Sequence, residues 1–280
     1  MSALRGSVDA SGGAVHASGG AVHAFRGAVH AEWIKLWSVR STWLALAAAV
    51  ALGAGLGLAD TMSTTRSWDT LTAADRAAFD PVGSGFAGLT FAQLAFGVLG
   101  VLAATGDYAT GTIIPALTAT PRRGRLYLAK AAVVAVTTLV LGQVLAFGLF
   151  LLGQAVLRSE HLNAGLGDPG VLRAVTGAGL YLTAIALVGL GLGALARHPA
   201  GGVSALIAVV FLAYGAARAV EGWSYLPARL LLSNAGDVVA QVHAVAAKPR
   251  LPSMLLAYAD LAGYALIALA LGGWRAHRDA

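Results

Sequence analysis

The sequence contains no cysteine and carries few charges for its length. Without cysteine the chain can form neither a disulfide nor a thiolate metal site, and it has no cysteine nucleophile. Only 11% of its 280 residues are charged, whereas a soluble domain has about a quarter of its residues charged. The scarcity of charge therefore argues against a soluble globular domain, a disordered chain and a nucleic-acid-binding protein.

Apolar residues are abundant instead, and they occur in long runs. The chain is 58% hydrophobic, and its mean hydropathy is +0.73. A bilayer core about 30 Å thick requires roughly 20 mostly apolar residues per helix. Six runs approach or exceed that length, at about 42–59, 86–105, 128–157, 171–196, 201–219 and 254–274. They predict an all-α polytopic membrane protein with six transmembrane helices, packed closely through the many glycines within the runs.

The basic residues indicate how the chain is oriented in the membrane. When the loops are assigned alternately to two sides, the side with both termini has eleven basic and four acidic residues, 11 − 4 = +7. The other side has eight basic and nine acidic residues, 8 − 9 = −1. Because cytoplasmic loops carry the excess of lysine and arginine, we expect both termini to be cytoplasmic in a multi-pass inner (plasma) membrane protein. The first span is expected to act as an uncleaved insertion signal.

Residues 1–27 are expected to form a disordered cytoplasmic tail. Residues 10–30 contain a heptad repeat that places His16, His23 and His30 seven residues apart. A metal-binding tract is one interpretation of this spacing. The repeated glycines argue against the stable helix that would align the histidines, so we favour a duplicated disordered segment and predict no metal site.

An amphipathic segment at 28–41 precedes the first apolar run. Trp33 and Trp37 share one helical face, while Glu32 and Lys35 lie on the other. Tryptophan is typical of the headgroup region, and Lys35 can reach anionic lipid, so the pattern predicts an interfacial helix resting on the bilayer. The alternative is that these residues are only the basic flank of the first span.

The most informative loop lies between the second and third predicted spans. Gly106 and Gly111 bracket a short segment, Asp107 is expected near a helix N-terminus, and Pro115 and Pro121 interrupt the chain. Arginines then follow at positions 122, 123 and 125. The loop is predicted to form a short, rigid, cationic element on the cytoplasmic face. A positive-inside loop without a partner would explain the arginines, but not the Gly-Asp-Tyr and Gly-Thr pattern before them.

With these segments the chain resembles the ABC-2 type permeases, the membrane subunits of a class of ATP-binding cassette exporters, and particularly their actinobacterial members. The resemblance rests on four segments in order: Ala31–Trp43, Ala77–Pro81, Gly106–Ile113 with Pro121–Arg123, and Arg278–Ala280. It implies six transmembrane helices, an N-terminal interfacial helix, a cytoplasmic coupling helix and short extracellular helices before the last span. Asp107 stands where glutamate is commoner in the family, and Pro115 stands where arginine is frequent.

The resemblance also implies a function and partners. The chain would be the permease subunit that forms the substrate path of an exporter, driven by two copies of an ATP-binding subunit that hold ATP and Mg²⁺. A second permease subunit, identical or different, and the lipid bilayer would complete the assembly. No lysine here follows a glycine as the phosphate-binding Gly-Lys motif requires, so the chain is expected not to be an enzyme and to bind no cofactor itself. The residues assigned to ATPase coupling are Gly106, Asp107, Tyr108, Gly111, Thr112, Pro121, Arg122 and Arg123.

Polar residues within the spans are candidates for a substrate path or for structural bonds. For Gln93, Gln143 and Gln154 we expect hydrogen bonds between helices rather than substrate contacts. Asp260 is expected either to pair with Arg218 or Arg229 or to face the substrate. No aromatic cage or charge cluster within a span identifies the substrate.

Two other functions are open at this point. The chain could be a membrane anchor or regulatory subunit of an ATPase, without transport of its own. It could also be an intramembrane aspartyl protease, since residues 165–168 read Gly-Leu-Gly-Asp and Asp260 would supply a second carboxylate. The protease interpretation is weakened because residues 165–168 fall in a loop outside the predicted spans.

Overall fold

The computed structural model describes residues 25–109, 123–219, 224–242 and 251–278. Within these ranges all regular elements are helical, and six helices are long and apolar enough to span a membrane. The prediction of an all-helical chain with six helices of membrane-spanning length and composition is therefore confirmed for the described residues. Spans 1 to 6 are Arg40–Ser67, Leu89–Ala109, Arg123–Leu157, Val171–Ala196, Pro199–Ala217 and Met254–Arg278.

Shorter helices lie before and between the spans. Residues 25–38 form an N-terminal helix, which extended backbone at Val39 separates from span 1. The first 24 residues of the predicted tail, with His16 and His23, lie outside the described residues. The remaining short helices are Ala73–Ala77, Pro81–Gly85, Leu226–Arg229 and Leu232–Ala240.

Span 4 forms the centre of the bundle. Most of its residues are buried, and it packs against spans 2, 3 and 6. Spans 2 and 4 meet through their backbones: a Cβ added to Gly100 would lie 1.9 Å from the carbonyl oxygen of Ala186, and one added to Gly189 would lie 2.1 Å from that of Gly97. Small residues allow such close packing where apolar burial does not distinguish protein from lipid. Spans 1, 5 and 6 are peripheral and expose apolar side chains to the surroundings.

Span 1 is longer than its apolar run. The predicted span ends at Ala59, but the helix continues to Ser67. The added turns are rich in hydroxyl side chains, which return their hydrogen bonds to the helix: Thr61 donates to the carbonyl of Gly57 at 2.7 Å, and Ser67 donates to that of Ser63 at 2.9 Å. The hydroxyls of these turns are therefore satisfied on the helix itself, in a segment where the hydropathy has already fallen.

Span 5 is the least regular of the six. Span 4 ends at Arg197 in a left-handed conformation, with φ of 57°, and span 5 then begins at Pro199. Its helix is interrupted by a π-helical turn at Ala208–Leu212. A π turn places one additional residue in the helix and changes the direction of the side chains after it.

The contacts sort the ends of the spans into two sides. On the side of the N-terminal helix, called here the N-terminal side, Lys35 contacts Asp107 at the end of span 2, and Arg197 at the end of span 4 donates to the carbonyl of Arg275 in span 6. On the opposite side, Arg173 at the start of span 4 donates to the carbonyl of Gln241 at 2.8 Å. Successive spans therefore run in alternate directions.

Candidate functional site

Four charged residues form a cluster on the N-terminal side. Glu32 and Lys35 come from the N-terminal helix, Asp107 from the last turn of span 2, and Lys130 from the second turn of span 3. The Lys35 Nζ lies 2.8 Å from Asp107 Oδ1 and 3.3 Å from Glu32 Oε1. The Lys130 Nζ lies 3.1 Å from Asp107 Oδ2 and also pairs with Glu32 Oε2. Each lysine thus bridges both carboxylates, and we call these four residues the charge tetrad.

The charge tetrad is largely shielded from solvent. The side chains of Glu32 and Asp107 are 4% and 8% exposed, that of Lys130 is 12% exposed, and Lys35 covers the outer face of the cluster. Burial by itself lowers the pKa of Lys35, but the hydrogen bond to Asp107 and the nearby carboxylate of Glu32 outweigh it and raise the pKa above its usual value. With two positive and two negative groups, the cluster is neutral.

The position of Asp107 corrects the prediction from sequence. It was expected near a helix N-terminus, where the helix dipole favours an anion, but it lies in the last turn of span 2, where the dipole opposes one. The two lysines supply the positive charge that the helix end does not. Lys35 is 72 residues from Asp107, and Lys130 is 98 residues from Glu32. At such separations the sequence pattern could not identify these pairs. The sequence did contain a hint of the cluster: two acidic and two basic residues lie beside the ends of apolar segments.

A cavity of about 450 Å³ adjoins the charge tetrad. Its wall is formed by the N-terminal helix, the start of span 1, the ends of spans 2 and 3 on this side, and Pro199. Apart from the tetrad the lining is mainly apolar, with Leu36, Leu99 and Val133 also packed against one another. The tetrad therefore has an apolar floor that limits the access of water.

The charge tetrad joins both ends of the segment 110–122. Asp107 lies just before this segment and Lys130 shortly after it, and both are held to Glu32 and Lys35. Ion pairs that are buried and share partners resist separation, because removing one partner leaves an unpaired charge in a low-dielectric site. The N-terminal helix and the two stems of the segment are therefore joined by shared ion pairs.

The residues assigned to ATPase coupling are only partly described. Gly106 and Asp107 lie in the last turn of span 2, and Tyr108 is exposed there with the guanidinium of Arg197 5.9 Å from its ring centroid. Arg123 is the first residue of the span 3 helix. Four members of the set, Gly111, Thr112, Pro121 and Arg122, lie outside the described residues.

The N-terminal helix carries a tryptophan cluster on the face away from the charge tetrad. The ring centroids of Trp33 and Trp37 are 5.8 Å apart, and those of Trp37 and Trp43 are 5.2 Å apart. Trp33 and Trp43 are exposed, whereas Glu32 points into the bundle. An exposed aromatic face opposite a buried ionic one is the arrangement expected of a helix at a membrane interface.

The three glutamines named from sequence bond to neighbouring helices and loops. Gln93 accepts a hydrogen bond from the hydroxyl of Tyr181 in span 4, and Gln143 donates to the carbonyl of Thr176 at 3.0 Å. Gln154 donates to the carbonyl of Pro81 and accepts from the backbone N–H of Ala164, at 2.9 and 2.7 Å.

The two aspartates of the protease interpretation occupy unlike surroundings. Asp168 accepts a hydrogen bond from the backbone N–H of Gly165 within an exposed turn between spans 3 and 4. Asp260 lies in span 6, where its buried Oδ2 accepts no hydrogen bond from the described residues. Among the described residues Asp260 makes no ion pair with Arg229, and the side chain of Arg218 is not among them.

One residue that the sequence pattern did not single out is Asp237, on the amphipathic helix Leu232–Ala240. It lines a second cavity, of about 440 Å³, at the start of span 2 on the side opposite the charge tetrad. Burial raises the pKa of Asp237 to about 6. The sequence could have pointed to it, because Asp237 is an acidic residue within an amphipathic helical pattern in the polar stretch before span 6.

Among the described residues no group of three or more metal-ligating side chains lies close enough together to hold a metal ion. No protein-family model matches the chain, and no similar protein was found among curated proteins or solved structures.

Proposed function

We propose that the chain is the permease subunit of an ATP-binding cassette exporter and that its charge tetrad transmits motion from a separate ATP-binding subunit. The observation that carries this proposal is the position of the tetrad at both stems of residues 110–122, which include part of one of the four segments that resemble ABC-2 permeases. Six membrane-spanning helices provide the body that such motion would act on.

A displacement of residues 110–122 can reach the spans only through the stems on either side of that segment. A flexible connection would absorb a displacement of residues 110–122 by local bending. The charge tetrad instead connects the loop stems to each other and to the N-terminal helix, so that a displacement moves the ends of spans 2 and 3 together. Since span 2 contacts the backbone of span 4, the movement continues into the centre of the bundle.

The assembly that this function requires has further members. Two ATP-binding subunits would bind ATP and Mg²⁺ and close on one another, and a second permease subunit would complete the path. In this arrangement the N-terminal side faces the cytoplasm, in agreement with the excess of basic residues assigned to it from sequence.

The test is co-expression of the chain with an ATP-binding subunit encoded beside it. We expect the two to purify together and the purified complex to hydrolyse ATP faster than the ATP-binding subunit alone. The variant Arg122→Ala/Arg123→Ala should reduce co-purification, because it removes two cations beside the docking loop. The matched control is Arg66→Ala/Arg158→Ala, which removes two arginines from the opposite side.

The result that contradicts the docking role is equal co-purification for both variants. Transport is tested separately with complexes reconstituted into vesicles loaded with a panel of labelled compounds. ATP-dependent loss of at least one compound supports an exporter. A complex that forms and hydrolyses ATP but moves no compound supports the alternative of a membrane anchor for an ATPase.

A further inference from the structure

The second cavity has an unusual composition for the membrane part of a protein. It lies between the start of span 2, spans 4 and 5, and the helix Leu232–Ala240. Aromatic rings form much of its wall: Phe86, Tyr181, Phe211 and Tyr214. Its polar lining includes Thr90, Gln93, Ser233 and Asp237. Its volume of about 440 Å³ falls in the range of sites for drug-sized molecules, which is roughly 300–1,000 Å³.

Most polar groups of this cavity are already occupied by protein partners. Gln93 accepts from the Tyr181 hydroxyl and donates to the carbonyl of Thr90 at 2.8 Å. Asp237 differs, because no described residue forms an ion pair or a hydrogen bond with its carboxylate. Ser233, one helical turn earlier, has a buried hydroxyl that likewise finds no partner among the described residues.

The helix that carries Asp237 is firmly positioned. Gly236 lies against the ring of Tyr181, where an added Cβ would be 2.4 Å from Cε2, and a Cβ on Gly177 would be 2.3 Å from the carbonyl oxygen of Val239. At the end of the helix, Arg173 donates to the carbonyls of Gln241 and Val242 at 2.8 and 3.1 Å. The backbone that carries Asp237 is therefore fixed at the cavity wall, where its side chain is exposed and accessible to a ligand.

An unpaired carboxylate in a cavity lined partly by aromatic residues favours a particular ligand chemistry. The electron-rich faces of tyrosine and phenylalanine attract a cation, and the carboxylate adds a full opposite charge. A single carboxylate among aromatic walls favours an organic monocation over Ca²⁺, whose sites gather six to eight oxygen ligands. Phe211 and Tyr214 are also exposed on the outer surface of span 5, so the cavity is bordered by residues that face the surroundings of the bundle.

We propose that this cavity is a binding site for a lipophilic monocation, with its ammonium-type charge at Asp237 and its apolar body against Phe86, Phe211 and Tyr214. A molecule of this type partitions into the bilayer and can reach the cavity past span 5. That such a molecule is the exported cargo rests on the proposed function, whereas binding itself does not.

The experiment measures binding of tritiated tetraphenylphosphonium to the full chain in lipid nanodiscs, with empty nanodiscs as background. We expect saturable binding that 4-phenylbutylamine displaces and 4-phenylbutyrate, of similar shape and opposite charge, does not. The variant Asp237→Asn should weaken binding by at least about tenfold, because it removes the opposing charge. Asp237→Glu should retain most of it.

The matched control is Asp69→Asn, which removes an exposed carboxylate from the same side of the bundle but outside the cavity. Its affinity should equal that of the unaltered chain. Equal affinity for Asp237→Asn and the unaltered chain, or equal displacement by the amine and the acid, would overturn the proposed site. No ATP-binding subunit is present in this assay, so failure of the exporter proposal leaves its result unaffected.

Discussion

Single residues carry opposite electrostatic roles on the two sides of the bundle. The charge tetrad contains four charges that satisfy one another, whereas Asp237 holds a carboxylate that no described residue neutralises. A satisfied cluster stabilises a connection, while an unsatisfied charge in a cavity costs stability and is retained where a ligand uses it. Substitutions at the two places should therefore change stability in opposite directions.

In the charge tetrad, removal of one partner should destabilise the protein. We expect Glu32→Gln or Lys130→Met to lower stability by on the order of 3 kcal/mol, since each leaves a buried charge without its partner. The double variant retains the Lys35–Asp107 pair and a neutral cluster, so its loss should be smaller than the sum of the single losses. The measurement is the midpoint of thermal unfolding in detergent. Glu160→Gln, which changes an exposed glutamate, should leave the midpoint unaltered, and strictly additive losses would contradict the coupling.

For Asp237, the pKa of about 6 lies above the ordinary value of 3.8, so the folded protein holds this proton more tightly than the unfolded chain does. Its protonated form therefore contributes stability that is fully present below about pH 4 and is lost as the pH rises through 6. Asp237→Asn imitates the protonated form at every pH. We expect nearly equal midpoints for both proteins at pH 3.5, and a midpoint about 2–4 °C higher for the variant at pH 7.5, after allowance for solvent screening.

Thermal unfolding of both proteins in detergent across this pH range provides the measurement. A constant difference between them at all pH values would show that Asp237 does not titrate in the range given. If Asp237→Asn is more stable but no longer binds tetraphenylphosphonium, the carboxylate is retained for binding at a cost in stability.

At the level of helices, the crossing of spans 2 and 4 depends on the absence of side chains. Gly100→Ala would place a methyl group 1.9 Å from the carbonyl oxygen of Ala186. Spans 2 and 4 would have to move apart to accommodate it. We expect a loss of stability of roughly 1–3 kcal/mol from this overpacking. Gly148→Ala in span 3, where nothing lies within 4 Å, should be neutral or slightly stabilising because alanine favours a helix. Unfolding midpoints that fall equally for both variants would assign the effect to helix propensity alone.

Helices were predictable from sequence where a local property determines them. Six apolar runs identify the six spans, because a bilayer imposes a minimum apolar length on any helix that crosses it. The continuation of span 1 to Ser67 was not predictable from hydropathy, since hydroxyls such as that of Thr61 satisfy themselves on the helix backbone.

Neither the charge tetrad nor the cavity at Asp237 could be predicted from local sequence patterns. Lys130 and Glu32 are 98 residues apart, and only the packing of three helices brings them together. Asp237 becomes distinctive because Tyr181 and Gln93 from other helices line the same cavity.

The proposed orientation of the whole molecule can be tested by labelling single introduced cysteines, because the sequence contains none. Any cysteine introduced into this chain is its only thiol. We expect Ser159→Cys, on the side opposite the charge tetrad, to react with a membrane-impermeant maleimide in intact cells. His277→Cys, on the N-terminal side, should react only after the membrane is opened. Both residues are exposed, so a difference reports sidedness rather than burial.

The opposite pattern of labelling would place the N-terminal side outside the cell and remove the basis for docking of a cytoplasmic ATPase there. Binding at Asp237 would be unaffected by that outcome, since the nanodisc exposes both sides.

The π turn at Ala208–Leu212 ties the second cavity to the exact length of span 5. An α-helix advances about 100° per residue, so a deletion of one residue in this turn would restore regular helix and rotate everything after it by roughly that angle. Tyr214, which follows the turn, would then leave the cavity wall and face a different neighbour, although the hydropathy of span 5 would hardly change. Among chains with otherwise similar apolar runs, one residue more or less at this point would separate those that keep the aromatic wall from those that have lost it.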